Sequence, residues 1–210
     1  TPATEGTDVW VFFDDRNLYI AARCSDSHPE RDTGSERRRD HVNATRAGDN
    51  LTVVLDTFYD RRNAFFFQTN PSGIVREQLV VDTQQNESWN TVWDVKSVRT
   101  PTGWSTEMVI PFKSLRYRRA GSQVWGINLR RVVAWRNEIS TLNPLPASFA
   151  MAGISQMGYA ATLVGVETPA RSLNLEVKPY LLSSLTTDLL ALGSKENGTA
   201  LSLGLSFSHG

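Results

Sequence analysis

Val9-Trp10-Val11-Phe12-Phe13, Asp14-Asp15-Arg16-Asn17 and Leu18-Tyr19-Ile20-Ala21-Ala22-Arg23-Cys24 follow one another without a break, and their reading decides the fold class. In the first stretch Val9, Val11 and Phe13 alternate with Trp10 and Phe12, the two-residue period of side chains along a β-strand. The second is a turn, because Asp and Asn tolerate left-handed backbone and bond the nearby main chain. In the third, Leu18, Ile20, Ala22 and Cys24 share one face. The whole is a β-hairpin.

Outward from the hairpin the same grammar repeats. Residues 25–48 turn polar, and Glu36-Arg37-Arg38-Arg39-Asp40 reads as a solvated face, with a ligand-contacting patch as the minority alternative. Strands are expected over 50–56, 64–69, 74–81, 92–98, 104–110, 123–135 and 159–166. They are separated by turns such as 58–62, Asn70-Pro71-Ser72-Gly73 and Thr100-Pro101-Thr102-Gly103, by a polar loop at 82–88, and by a short turn or helix near 111–115. Eight or so strands with no long amphipathic helix and no βα alternation predict an all-β fold, an antiparallel sandwich or barrel. The sandwich domain is expected over 1–168. Beyond Pro169, Leu173, Leu175 and Val177 alternate with Asn174, Glu176 and Lys178, and after a polar turn at 193–198 Leu201, Leu203, Leu205 and Phe207 alternate with Ser202, Gly204, Ser206 and Ser208. One apolar and one small or polar face suit a strand with lipid outside and water inside, although any half-buried hairpin has the same pattern. Residues 169–210 are therefore expected to be the first strands of a barrel-like region.

Composition removes several functions. The 210 residues carry 22 Lys+Arg against 22 Asp+Glu, so no basic excess points to nucleic acid. Cys24 is the single cysteine, which excludes a disulfide framework and a cysteine zinc cluster and leaves it as a small buried hydrophobe. No run of 18 apolar residues offers a transmembrane helix. The chain opens Thr1-Pro2-Ala3-Thr4 without Met, as a fragment or processed product would, which places any export signal upstream.

Catalytic signals are weak. His28, His41 and His209 form no HExxH or HxH pattern, residues 153–158 lack GxSxG spacing, and no phosphate-binding glycine loop is present. No residue is assigned a catalytic role. Tryptophan is conspicuous, at positions 10, 89, 93, 104, 125 and 135. An indole offers a flat apolar face to the C–H face of a pyranose and an N–H to a hydroxyl. Trp104 and Trp125 sit in apolar alternation and read as core. Trp89 and Trp93 flank a loop-to-strand junction beside Asn90 and Asp94 and are the sugar-binding candidates, the competing reading being packing at a sandwich end. Arg131, one of the pair Arg130/Arg131, is a further candidate donor to sugar hydroxyls, against a solvated or ion-paired surface role. Asp49, Asp56, Asp60 and Asp82 stand at strand ends; Asp49 and Asp56 are the candidate calcium ligands, with turn and cap roles as the alternative.

These segments resemble a known family. Residues 14–20, 55–67 with 70–73, Trp89-Asn90-Thr91-Val92-Trp93-Asp94, 103–115 and Trp125-Gly126-Ile127-Asn128 look like the family 9-type carbohydrate-binding module, in the version fused to an uncharacterised outer-membrane β-barrel family. The match spans about residues 7–166, and the chain from Leu173 onward is similar to first barrel strands. The resemblance implies a β-sandwich that binds oligo- or polysaccharide without catalysis and serves polysaccharide catabolism by partner enzymes, such as hydrolases of O-glycosyl compounds. It also implies the bacterial cell envelope (periplasm and outer membrane), anchorage through a C-terminal barrel, no required cofactor, and calcium as a structural ion. In the family's sugar-binding members a tryptophan pair clamps a terminal sugar, and Trp89 and Trp93 are the closest candidates for that clamp here. The alternatives are a structural or transport-associated periplasmic domain without a sugar site, a glycosidase using two convergent carboxylates, and, as a minor case, a heme-binding sandwich.

Overall fold

The computed structural model describes residues 2–31, 38–39, 48–118, 121–169, 175–187 and 197–209. It contains two compact units, Thr1–Ala170 and Arg171–Gly210. The first is an antiparallel β-sandwich, as the strand pattern predicts.

One sheet has the order β1-β2-β8-β7, made from β1 (Thr7–Phe13), β2 (Asn17–Ser25), β7 (Asp94–Thr100) and β8 (Gly103–Pro111). The opening hairpin pairs Val11 with Ile20 and Phe13 with Leu18, and its turn is held by Asp14 Oδ1, which accepts the Arg16 and Asn17 N–H groups at 2.7 Å. The second sheet runs β10-β9-β3-β4-β5-β6, from β3 (Asn50–Asp56), β4 (Ala64–Thr69), β5 (Arg76–Val81), β6 (Gln84–Asn86), β9 (Gly121–Val133) and β10 (Glu138–Thr141). A last strand, β11 (Ala161–Thr168), joins it by pairing with residues 121–127 of β9, while β10 pairs with residues 130–133. The second unit is one hairpin, β12 (Leu175–Thr187) with β13 (Asn197–His209). Residues 193–196 of the expected 193–198 turn and most of the 36–40 charge run lie outside the described residues, while Asn197 and Gly198 already belong to β13.

The two sheets close on Leu18, Ile20, Cys24, Trp104, Met108 and Ile110 from one side and Leu51, Val53, Leu55, Phe65, Phe67, Trp125, Ile127 and Leu129 from the other. Trp104 and Trp125 are core, as read from the sequence. Burial pushes the Cys24 thiol up to about 11, against the pull of nearby Arg131, so the buried sulfur stays protonated at neutral pH. Gly103 makes the closure between β7 and β8: its φ is +133°, and a Cβ there would meet the Cys24 carbonyl oxygen at 2.1 Å.

The sheets differ in what covers them. The outer face of the first sheet is solvated: Trp10 and Phe12 are exposed, with Phe12 stacked on Tyr19 at 5.1 Å and the Arg23 guanidinium 5.5 Å over Trp10. The second sheet is buried on both faces at its centre. Every residue of β3 and β4 is buried, and a second apolar cluster joins Val54, Ala64, Phe66 and Val80 to Ile154 and Met157 of the 3-10 segments that follow β10 and to Ala160 just after them. Some elements depart from expectation. Strands β6 and β10 are three and four residues long and too polar to announce themselves, β9 ends at Val133 rather than Trp135, and the last strand begins at Ala161 rather than Tyr159.

If both faces of the β3–β4 centre are core, Phe66→Ala destabilises the chain by about 3–5 kcal/mol, as buried Phe→Ala changes do. Val98→Ala, on the solvated face of the first sheet and 62% exposed, stays within about 0.5 kcal/mol. Urea unfolding followed by tryptophan fluorescence compares the two.

Candidate functional site

At the edge where β4 begins and β5 ends, the sandwich opens a cleft of about 310 Å³ lined by Trp89, Phe58, Phe65, Leu79, Asn63 and Arg116. Trp89 is half-buried, with its ring centroid 5.2 Å from Phe65 and 6.4 Å from Phe67, and Phe58 is 36% exposed. The cleft thus combines aromatic and aliphatic wall with an amide and a guanidinium, the mixture of apolar lining and few polar groups that small-ligand sites use.

The turn from Asp56 to Asn63 holds one side of this cleft, and two carboxylates build it. Asp56 is fully buried and accepts the Asp60 and Arg61 N–H groups at 3.1 and 2.7 Å; burial raises its pKa, with those two donors opposing. Asp60 accepts the Arg62 and Asn63 N–H groups at 2.8 Å and the Asn63 side-chain amide at 2.6 Å. Partial burial acts to raise the Asp60 pKa, but these donors outweigh it and the net shift is downward. Tyr59 and Arg61 both take positive φ, 51° and 63°, a geometry that the buried Asp56 carboxylate pins from below. The Tyr59 hydroxyl in turn bonds Thr162 Oγ1 at 2.7 Å, tying the turn to β11.

The sequence candidates separate. Trp89 lines the cleft, but Trp93 does not form a clamp with it. Trp93 is 5% exposed, packs edge-on against Phe67 at 5.2 Å, and donates its indole N–H to Glu77 Oε2 at 3.0 Å. Glu77, buried on β5, also accepts the Thr91 N–H and pairs with Arg39, which donates as well to the Thr91 carbonyl at 2.9 Å. So Arg39, itself exposed, reaches from the surface to a buried carboxylate, and Glu77 anchors the strand-entry loop that presents Trp89. Asn90 and Asp94 are exposed and do not line the cleft; Asp94 begins β7 and accepts the Val95 N–H at 2.8 Å.

Arg131 is no surface donor. It is 2% exposed, lies 5.2 Å over the Trp104 ring, and pairs with Asp49 at 3.3 Å. Asp49 also accepts the Ala134 N–H at 2.7 Å. Its carboxylate answers a buried guanidinium while Asp56 caps a turn, so the two proposed calcium ligands serve different local roles. Among the described residues no three His, Cys, Asp or Glu side chains converge as a metal site.

A second polar region escaped the sequence reading. On the outer face of the second sheet, Asn50, Thr52, Gln68, Arg76, Gln78 and Arg130 are all buried. Gln68 donates to Asn50 and Thr52 at 2.9 Å and accepts from Arg76 at 2.8 Å; Arg130 donates to the Met151 carbonyl at 2.7 Å and to Thr52 at 3.1 Å. Burial, then the nearby Arg76 charge, pushes Arg130 down to about 10. Arg130 Nε and Gln78 Oε1 have no partner. The signal available in the sequence was Thr52, Gln68 and Arg130 falling on alternate positions of three strands, but nothing in one strand alone shows that they meet.

No family model matches the chain, and no curated protein matches its sequence. Solved structures match its fold. A family 9 carbohydrate-binding module of Caldicellulosiruptor kristjanssonii in complex with cellotriose superposes with a TM-score of 0.55 at 14% identity, covering 82% of this chain and 79% of that one. The glucose complex of a family 9 module from the same organism gives 0.52 at 13%, covering 82% and 81%. A Bacteroides uniformis protein whose suggested role is carbohydrate binding gives 0.61 at 11%, covering 78% and 79%. The first unit therefore has a family 9-like sandwich fold.

Replacing Asp49 with Asn leaves Arg131 a buried cation without its counter-charge, which costs about 3–5 kcal/mol. Thermal unfolding of Asp49→Asn beside the unsubstituted chain, each with and without EDTA, checks this. A loss that EDTA alone reproduces in the unsubstituted chain would assign Asp49 to calcium instead.

Proposed function

We propose that the sandwich is a non-catalytic carbohydrate-binding module and that the Trp89 cleft is its saccharide site. The observation that carries this reading is a half-buried indole braced on Phe65, beside an exposed Phe58, with Asn63 and Arg116 within the same cleft. An aromatic face takes the apolar side of a sugar ring, and amide and guanidinium donors take its hydroxyls. The fold it shares with modules solved with cellotriose and glucose makes short β-glucans the first ligands to try.

The wider setting belongs to the same proposal. The module serves polysaccharide breakdown in the bacterial envelope, tethered at the outer membrane by a barrel that begins with β12 and β13. Each of these strands is 13 residues, longer than the roughly 9–11 that a tilted strand needs to cross the hydrocarbon. The competing reading, a structural or transport-associated periplasmic domain, draws on the burial of Trp93, Trp104 and Trp125.

Calorimetric titration of the full chain with cellotriose and with glucose, with calcium supplied, tests the proposal. Saturable binding is expected, weakened about 30-fold or more in Trp89→Ala, the scale of losing an aromatic anchor. Binding that survives Trp89→Ala but fails in Arg130→Gln moves the site to the polar sheet face. Absence of binding across a broad sugar panel favours the structural domain.

A further inference from the structure

Among the residues that line the Trp89 cleft, Arg116 alone carries a charge; the rest of the wall is aromatic, aliphatic or, at Thr57 and Asn63, uncharged and polar. The chain as a whole has 22 basic and 22 acidic residues, so this cation is a local feature and not the trace of a basic surface.

The carboxylates on the segments around the cleft are all engaged elsewhere. Asp56 and Asp60 hold the N–H groups of their own turn. Asp82, next to Val81 of the wall, pairs with Arg62 at 2.6 Å. Glu77 is buried against Trp93, Thr91 and Arg39. Glu87 accepts from Arg76 at 3.1 Å and from Gln78 at 3.0 Å. The neighbouring cations are also accounted for. Arg61 donates to the Ala160 carbonyl and the Tyr59 hydroxyl, Arg62 belongs to Asp82, and Lys113 and Arg118 do not line the cleft. Among the described residues, no hydrogen bond, ion pair or ring contact takes up the Arg116 guanidinium.

The backbone of Arg116 is fixed even though its side chain is exposed. Leu115 and Tyr117 on either side are part of the core, and Thr57 Oγ1 donates to the Arg116 carbonyl. That bond ties the loop between β8 and β9 to the residue preceding Phe58, so the cation and the aromatic wall keep their spacing.

These features restrict the occupant. A guanidinium is a rigid fork that matches a planar carboxylate with two parallel hydrogen bonds, each stronger than a bond to a neutral hydroxyl. Apolar neighbours thin the water around it, so an anion here is attracted more strongly than on open surface. Asn63 gives its side-chain amide N–H to Asp60 at 2.6 Å, which leaves its carbonyl oxygen to accept from a ring hydroxyl. A volume of about 310 Å³ stands at the lower end of the roughly 300–1,000 Å³ of small-ligand sites, the scale of one ring and its substituents.

We infer that the Trp89 cleft selects an acidic sugar, a hexuronate whose ring lies on Trp89 and whose carboxylate pairs with Arg116. The inference rests on that cleft being the saccharide site, and it adds the class of sugar taken there.

Nitrogen-15 NMR of the full chain tests it, because each of the six tryptophans contributes one indole N–H signal and weak binding is measurable. The Trp89 signal is assigned through its absence in Trp89→Phe. Methyl β-D-glucuronide, methyl β-D-glucoside and the uncharged methyl β-D-glucuronamide are titrated separately, with cellotriose as the neutral oligosaccharide. The expected result is a saturable shift of the Trp89 signal by the glucuronide at about tenfold lower concentration than by the glucoside or the amide, the scale of one charge-assisted pair. That ratio falls to about one in Arg116→Gln and shrinks as salt is added. D-glucose 6-sulfate is the other anionic sugar, and tighter binding of it than of the glucuronide would overturn the carboxylate assignment. Equal binding of glucoside and glucuronide, a preference that survives Arg116→Gln, or a shift by cellotriose alone would overturn the inference and leave the saccharide site standing. A Trp89 signal that no sugar moves would overturn both.

Discussion

The β3–β4 pair is enclosed on both faces, and most of the molecule is arranged around that enclosure. On one side Leu51, Val53, Leu55, Phe65 and Phe67 need an opposing sheet, which the opening hairpin and β7–β8 supply. On the other, Val54 and Phe66 need a cover, which the 3-10 segments carrying Ile154 and Met157 supply. The polar half of that outer face is then buried with it, so Thr52, Gln68, Arg76 and Arg130 must bond one another and the covering backbone. Buried polar groups left partly unanswered are expensive, and Arg130 Nε is one.

The same constraint sets what was legible in the sequence. The hairpin from Val9 to Cys24 could be read because the first sheet has one wet face, and alternation is the trace of that asymmetry. In β4 the run Phe65-Phe66-Phe67 has no alternation to read, since both faces are dry; its strand character came from the turns on either side. Trp104 and Trp125 were recognisable as core from their apolar neighbours. Trp93 was not, because its burial depends on Glu77, sixteen residues earlier, accepting its N–H. Arg131 was misplaced for a similar reason: its counter-charge, Asp49, lies 82 positions away. Local pattern reports faces, whereas paired charges between distant strands appear only once the register is known.

Aromatic residues divide by duty along these lines. Those on the inner faces hold the sheets together, while Trp89 stays half-buried because the loop carrying it is tied down at Thr91 and Trp93 by Glu77. The Asp56 and Asp60 carboxylates do for the opposite wall what Glu77 does for this one, holding the turn that carries Phe58 and Asn63 through the N–H groups of Asp60, Arg61, Arg62 and Asn63. A cleft whose two walls are each set by buried or hydrogen-bonded carboxylates is preorganised, and rigid walls reduce the entropy lost when a flexible sugar binds.

A crystal structure of the full chain grown with cellotriose decides whether the Trp89 cleft is the saccharide site. The expected result is density for a pyranose ring lying flat against Trp89, with Asn63 or Arg116 within hydrogen-bond distance of its hydroxyls. Cellotriose seated elsewhere on the sandwich, with the Trp89 cleft holding only solvent, would contradict it.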